Sequence, residues 1–278
     1  MGDFVVLSLL LAGFATLRES TPAQSQLPTQ IDIGAANQRR LDGVRLEMNA
    51  LAGASESRVG VALITSDHGL VLARQPDSPF VLASVAKVYN LTAYLDQLAR
   101  EERKITESDM ELAQAMIEFS DNRSASVLWE RIGGASGLAE FLGSHGMEPL
   151  WPAGDENEWG TLQATPQQVG TLLWELMLGR LLDPESTQIV FALLAHVTED
   201  QKWGVSAGVT APGARVYVKN GWYPEEDGWL LNSAGVVRTP STDYVLVVLS
   251  DAAASMDSGI SVIEQVAGLV NAYMAGKR

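Results

Sequence analysis

The chain has 278 residues, 46% of them hydrophobic and 19% charged, a globular composition with enough length for a real core, which excludes a disordered chain. Acidic side chains outnumber basic ones 34 to 19, a formal net charge of −15, and a surface that negative repels phosphate backbones and argues against a nucleic-acid partner. Cysteine is absent, so disulfides, thiol nucleophiles, iron–sulfur clusters and cysteine-based zinc sites are excluded; the three histidines, His68, His145 and His196, match no metal-ligand spacing.

Phe4 to Thr16 is an apolar run. It is too short to span a membrane, which takes about 20 residues, and has the length of a signal-peptide core. Asp3 stands where a signal peptide carries a basic residue, so a buried helix of the globular part is the other reading. Thr21 to Gln30 is polar with two prolines and reads as a spacer. Residues 1–30 are thus expected to be a leader or tether of an exported protein. Asn37 to Leu51 has an imperfect helical pattern. Arg58 to Thr65 and Leu70 to Arg74 are β-rich and flank Ser66-Asp67-His68-Gly69, which predicts a hairpin. Helical signals then run from Ser84 to His196. Ser108 with Glu111 offers a capping box. Thr165, Pro166 and Gln168 offer another with Gly179 as the stop, and Asp183 and Pro184 open a further helix. Strands return at Ala214 to Lys219, Trp229 to Arg238 and Tyr244 to Ser250, and Ser258 to Met274 closes as an amphipathic helix. Late strands must pair with early ones to bury their faces. The expectation is an α+β fold: an antiparallel sheet flanked by terminal helices, residues 31–82 and 205–278, with an inserted all-α domain, residues 83–204, and a cleft between the two.

Three short motifs carry chemistry. Ser84-Val85-Ala86-Lys87 places a hydroxyl and an amine three apart, on one helix face. The surrounding segment, Phe80 through Leu95, is apolar almost all round, which predicts a buried helix and a desolvated lysine able to act as a base. Ser120-Asp121-Asn122 falls between two predicted helices, where Asp121 or Asn122 could simply cap the second. Lys219-Asn220-Gly221 ends a predicted strand; the glycine allows close backbone approach, and an ordinary turn with a solvated lysine is the other reading.

In this order the three motifs resemble the serine β-lactamase and penicillin-binding-protein superfamily, closest to class A β-lactamases. The resemblance implies a serine hydrolase with Ser84 as the acylated nucleophile and Lys87 as the base. It makes Ser120 the proton relay to the leaving group, Asn122 a holder of substrate amides and Lys219 a positive charge beside Ser120. Asn220, Gly221 and Trp222 would line the substrate, with the N–H groups of Ser84 and Trp222 as the oxyanion hole. A small-molecule or peptide-like substrate follows, an amide, lactam or ester, β-lactam or cell-wall related; no metal or cofactor is implied. In the family a glutamate activates the deacylating water, and Glu156 lies at its spacing, with Glu158 as the other candidate and a solvated acidic loop as the plain reading.

The match departs in places. Ser84 and Ser120 are closer than in class A enzymes, which cuts back one rim of the cleft. Asn220 replaces the usual Thr or Ser, and no arginine follows in Trp229 to Val237. These changes predict weak β-lactamase activity at most. Trp222, Tyr223 and Trp229 suggest an aromatic wall, with core packing as the other reading of Trp229. Gly204-Val205-Ser206-Ala207-Gly208 matches the G-x-S-x-G nucleophile elbow, but Pro212 and Gly213 follow too soon for a helix and no histidine follows the serine. A carboxylate-pair glycosidase has no two residues to single out. The rival from another class is a non-catalytic or very slow penicillin-fold binding protein.

Overall fold

The computed structural model describes residues 35–65, 69–155 and 157–276; the N-terminal apolar run and spacer, the turn residues Ser66, Asp67 and His68, and Glu156 lie outside the described residues. The early hairpin forms as expected, β1 (Arg58–Thr65) against β2 (Gly69–Arg74). The late strands β5 (Arg215–Glu225), β6 (Gly228–Arg238) and β7 (Asp243–Ala253) close onto it. β7 pairs antiparallel with β1 from Arg58↔Asp251 to Thr65↔Tyr244, giving the order β2-β1-β7-β6-β5.

Both faces of this sheet are covered, which is why its inner strands read as continuous apolar runs. Alternate residues serve different cores. Val59, Val61 and Leu63 of β1, with Leu246 and Val248 of β7, pack on Leu41, Val44 and Met48 of α1 (Ala35–Ala54) and on Ile263, Val266 and Val270 of α8 (Met256–Met274). Ala62, Ile64, Val245, Val247 and Leu249 face the other way, into the helical block. That block holds α2 (Ala86–Arg100), α3 (Glu107–Glu118), α4 (Asn122–Arg131), α5 (Gly134–Ser144), α6 (Pro166–Met177) and α7 (Pro184–Ala195). Among the described residues no helix is long and apolar enough to cross a membrane.

Several boundaries differ from the sequence expectation. The buried helix does not begin at Phe80. Phe80 and Val81, both good strand formers, make a two-residue strand β3 that pairs with β4 (Gln163–Ala164). A 3-10 turn at Ala83–Val85 then leads into α2. The capping box of α3 is Thr106 with Asp109, not Ser108 with Glu111: Asp109 N–H donates to Thr106 Oγ1 at 3.2 Å and Thr106 N–H to Asp109 Oδ2 at 3.0 Å, so the helix starts two residues earlier. Thr165 and Gln168 do cap α6, and Asp183 caps α7. Strand β5 runs on through Asn220-Gly221 to Glu225, because every residue from Arg215 pairs with β6; the turn chemistry at Asn220-Gly221 is overridden by that pairing.

One buried side chain ties the Ser84 segment to the sheet. Asn232 of β6 is fully buried. Its Nδ2 donates to Val81 O at 2.8 Å and Leu82 O at 3.1 Å, and its Oδ1 accepts from Ser250 N at 3.2 Å. Asn232→Leu removes three buried hydrogen bonds, although Leu82 O keeps the Val85 N–H at 3.1 Å, and is expected to lower stability by about 2–4 kcal/mol. The check is a urea titration, where the midpoint falls at unchanged slope; an unchanged midpoint contradicts the anchoring role.

Candidate active site

The four groups of the sequence motifs converge. Lys87 Nζ lies 3.0 Å from Ser84 Oγ and 3.0 Å from Ser120 Oγ, and Lys219 Nζ lies 3.1 Å from the same Ser120 hydroxyl. Asn122 joins them, its Oδ1 accepting from Lys87 at 2.7 Å. These groups come from the turn before α2, from α2, from the α3–α4 junction and from β5, so the crevice lies where the helical block meets the sheet edge.

Local structure explains each placement. Ser84 sits in the 3-10 turn that runs straight into α2, where unpaired N–H groups favour a developing anion. Ala83 before it is held at φ +46° and Ser120 at φ +56°, a left-handed backbone uncommon for side-chain-bearing residues and concentrated at functional sites. At the second motif the two readings divide between neighbours. Asp121 is the cap of α4, accepting from Ser124 N at 2.7 Å, while Asn122 turns to Lys87. Gly221 lets β5 approach the nucleophile turn: a Cβ there would stand 2.6 Å from Leu82 O and 2.7 Å from Ser84 N.

The partners of the two lysines differ in kind. Lys87 meets two groups that can only accept, Ser120 O at 2.6 Å and Asn122 Oδ1 at 2.7 Å, plus two hydroxyls that can also donate. The two pure acceptors can only take hydrogens from the amine, whereas the Ser84 and Ser120 hydroxyls can accept from it when it is charged and donate to it when it is neutral. Lys219 meets Ser120 Oγ, Asn220 O at 3.2 Å and Gln201 Oε1 at 3.3 Å, three acceptors for the three hydrogens of an ammonium. Burial pushes Lys87 down to about 7, against the attraction of Asp121. Burial and then the charge of Lys87 push Lys219 down to about 7. Near neutrality burial makes a charge on both lysines at once costly.

Asn220 does not face the crevice as expected. It is buried, and its Nδ2 donates to Gln201 O at 2.9 Å and Trp203 O at 3.0 Å. In an extended strand neighbouring side chains point to opposite faces, so with Lys219 toward the helical block Asn220 serves the other layer. Trp222 lies on that layer too, edge-on to Trp203 with ring centroids 6.0 Å apart. Trp229 packs against the same core cluster, which favours the core reading for it, and Tyr223 is half-buried with its hydroxyl on Glu225. Glu158 is exposed, its carboxylate beside Gly154; Glu156 is outside the described residues. Ser206 of the G-x-S-x-G stretch binds the Lys202 carbonyl and precedes no helix.

Three residues at the site carry no motif. Gln201 is buried and holds Lys219. Trp159 places its ring centroid 4.9 Å from Lys87 Nζ, and Ser126 accepts from the Trp159 indole N–H at 3.1 Å. Their spacing from the motifs follows no local rule, so no sequence signal pointed to them. Among the described residues no group of three His, Asp or Glu side chains could hold a metal ion.

Comparisons with known proteins bear on the family and the fold. The model of the beta-lactamase enzyme family matches residues 108–274. Beta-lactamase FAR-1 of Nocardia farcinica is 29% identical over 254 residues, 77% of this chain and 78% of that one. LppW of Mycobacterium tuberculosis, which bears a lipoprotein name, is 26% identical over 210 residues, and the alignment spans 72% of this chain and 65% of LppW. A class A beta-lactamase from Bacteroides cellulosilyticus shares the fold with a TM-score of 0.75 at 19% identity, covering 86% of this chain and 99% of that one. The structure of PBP-A does so with a TM-score of 0.73 at 20% identity, covering 90% and 100%.

The tight seat of Gly221 is directly testable. Its would-be Cβ neighbours are backbone atoms, which cannot rotate aside. Gly221→Ala is expected to cost about 1–3 kcal/mol through overpacking, read as a lowered melting temperature. An unchanged melting temperature would mean that β5 and the Ser84 turn are not in this contact.

Proposed function

We propose, from the premise that the chain belongs to the beta-lactamase enzyme family, that it is a serine hydrolase working through an acyl-enzyme on Ser84. The substrate is an amide, lactam or ester of a small or peptide-like molecule. The observation that carries this reading is the Lys87 amine, 3.0 Å from both the Ser84 and the Ser120 hydroxyls.

The chemistry follows from the hydrogen-bond pattern. Lys87 takes the Ser84 proton as Oγ adds to the substrate carbonyl carbon. The N–H groups of Ser84 and Trp222 receive the oxyanion. The proton on Lys87 passes through the Ser120 hydroxyl to the leaving nitrogen or oxygen, and the carbonyl–heteroatom bond breaks. Lys219 stabilises negative charge around Ser120 and attracts a substrate carboxylate. Water then cleaves the ester, with Glu156 as its activating base and Glu158 as the other candidate. The lipoprotein name of LppW and the apolar run from Phe4 to Thr16 support a place outside the cytoplasm. The buried amide of Asn220 favours a second reading, slow turnover of β-lactams, because the motif position that usually offers a hydroxyl to a substrate carboxylate is spent inside the protein.

Incubation with a fluorescent penicillin and a panel of chromogenic esters, followed by intact mass, decides the matter. The adduct is expected on Ser84 and absent in Ser84→Ala; labelling that survives Ser84→Ala would sink the scheme. Lys87 must be neutral to accept the proton, so acylation rises with pH through about 7, and one unit below that point the rate is about tenfold under its plateau. A rate flat from pH 5 to 9 would remove Lys87 as the base. Glu156→Gln is expected to lengthen the life of the adduct by at least about tenfold, with Glu158→Gln without effect; the reverse outcome would exchange their roles.

A further inference from the structure

We infer that Trp159 is a positioning residue of the reaction centre: its indole, fastened between the Ser84 segment and α4, roofs the Lys87 amine and keeps water from it. This rests on the reading of Ser84 and Lys87 as nucleophile and base, and it assigns a role to a residue that none of the three motifs contains.

The fastening is two-sided. On the backbone side, Trp159 belongs to the 3-10 turn Trp159–Thr161. That turn is closed by Thr161 N–H on Glu158 O at 2.9 Å, and by Leu162 N–H on Trp159 O at 3.3 Å. The chain continues directly into contact with the nucleophile segment: Leu82 N–H donates to Leu162 O at 2.8 Å, and β4 pairs with β3. On the ring side, the indole N–H donates to Ser126 Oγ at 3.1 Å, on the helix whose first turn carries Asn122. Both anchors therefore belong to elements that supply groups to Lys87. The ring is held over the amine rather than merely near it, 4.9 Å from centroid to Nζ, and packs with its other atoms on the core of the helical block.

Such a ring acts on a lysine in two opposed ways. Its face attracts an ammonium, which favours the charged form. Its bulk displaces water, which disfavours it. Around Lys87 shielding prevails, because the amine is completely removed from solvent while its nearest acceptors are neutral oxygens that suit an uncharged amine. The charged and titratable groups facing Lys87 are Asp121 from α4, which favours the ammonium, and Lys219 from β5 through the shared Ser120 hydroxyl. On its own helix, Tyr89 is held neutral by burial, and in the loop Glu158 points to Gly154. None of these is altered by changing the indole, so Trp159 variants isolate the effect of the roof.

The test reads Lys87 without any substrate. In the full chain with 13C-labelled lysine, the Lys87 Cε resonance, assigned through its loss in Lys87→Arg, is followed against pH. Trp159→Ala is expected to raise the titration midpoint by at least about one pH unit, a tenfold gain in proton affinity. Trp159→Phe, which keeps most of the cover but loses the bond to Ser126, is expected to raise it by a smaller amount. Ser126→Ala leaves every backbone bond of the loop in place and is expected to move the midpoint the same way by a smaller amount, which keeps the test alive if Trp159→Ala fails to fold. A midpoint that stays put in the alanine variants, or that falls because attraction to the ring outweighs shielding, overturns the inference. Absence of acylation at Ser84 in the unchanged protein would instead defeat the hydrolase reading, and the two failures are seen in separate measurements.

Discussion

Two buried lysines share one hydroxyl. That constraint organises the crevice. Ser120 Oγ sits within 3.1 Å of Lys219 and 3.0 Å of Lys87, and both amines are buried. Desolvation and mutual repulsion make two ammonium ions costly at this spacing. Gln201 and the Asn220 carbonyl join the Ser120 hydroxyl as acceptors around Lys219, while Asn122 and the Ser120 carbonyl accept from Lys87.

The rest of the fold holds these groups at fixed distances. Lys219 comes from an edge strand, Lys87 from a buried helix and Ser120 from a strained junction, so their separations depend on how the helical block is clamped to the sheet. The clamp is polar as well as apolar. Asn232 grips the Val81–Leu82 backbone, β3 pairs with β4, and Gly221 removes the one Cβ that would hold β5 away from the Ser84 turn. Membership of the beta-lactamase enzyme family follows from the match over residues 108–274, and the shared fold with class A structures follows from the superposition. What sets this chain's crevice apart surrounds the motifs: an asparagine turned inward in the third motif and an indole beside the Lys87 amine.

Particular elements show what a sequence reading can and cannot reach. Thr165, Pro166 and Gln168 announce the start of α6 because capping is local: its donors and acceptors lie within four residues. The same logic misplaced the start of α3, where Thr106 with Asp109 competes with Ser108 with Glu111 and only packing chooses between overlapping boxes. Asn220-Gly221 looks like a turn and is a strand, because pairing with β6 satisfies backbone groups that a local reading leaves open. The side of the strand on which Asn220 falls likewise depends on register, and a shift of one residue would exchange the two layers.

Local chemistry in the chain was enough to single out Ser84, Lys87, Ser120, Asn122 and Lys219, which the fold brings together, to pair late strands with early ones, and to tie the three motifs to a known superfamily. Hydrogen-bonding capacity, helical spacing and apolar periodicity are properties of short segments, so they can be read without coordinates. The sharing of one hydroxyl by two buried amines, the inward turn of Asn220, and the seats of Gln201, Trp159 and Ser126 emerged only with the tertiary structure. Each depends on groups far apart in sequence meeting within a few ångströms in a dry space, where burial changes proton affinities and a single donor decides which way a side chain faces.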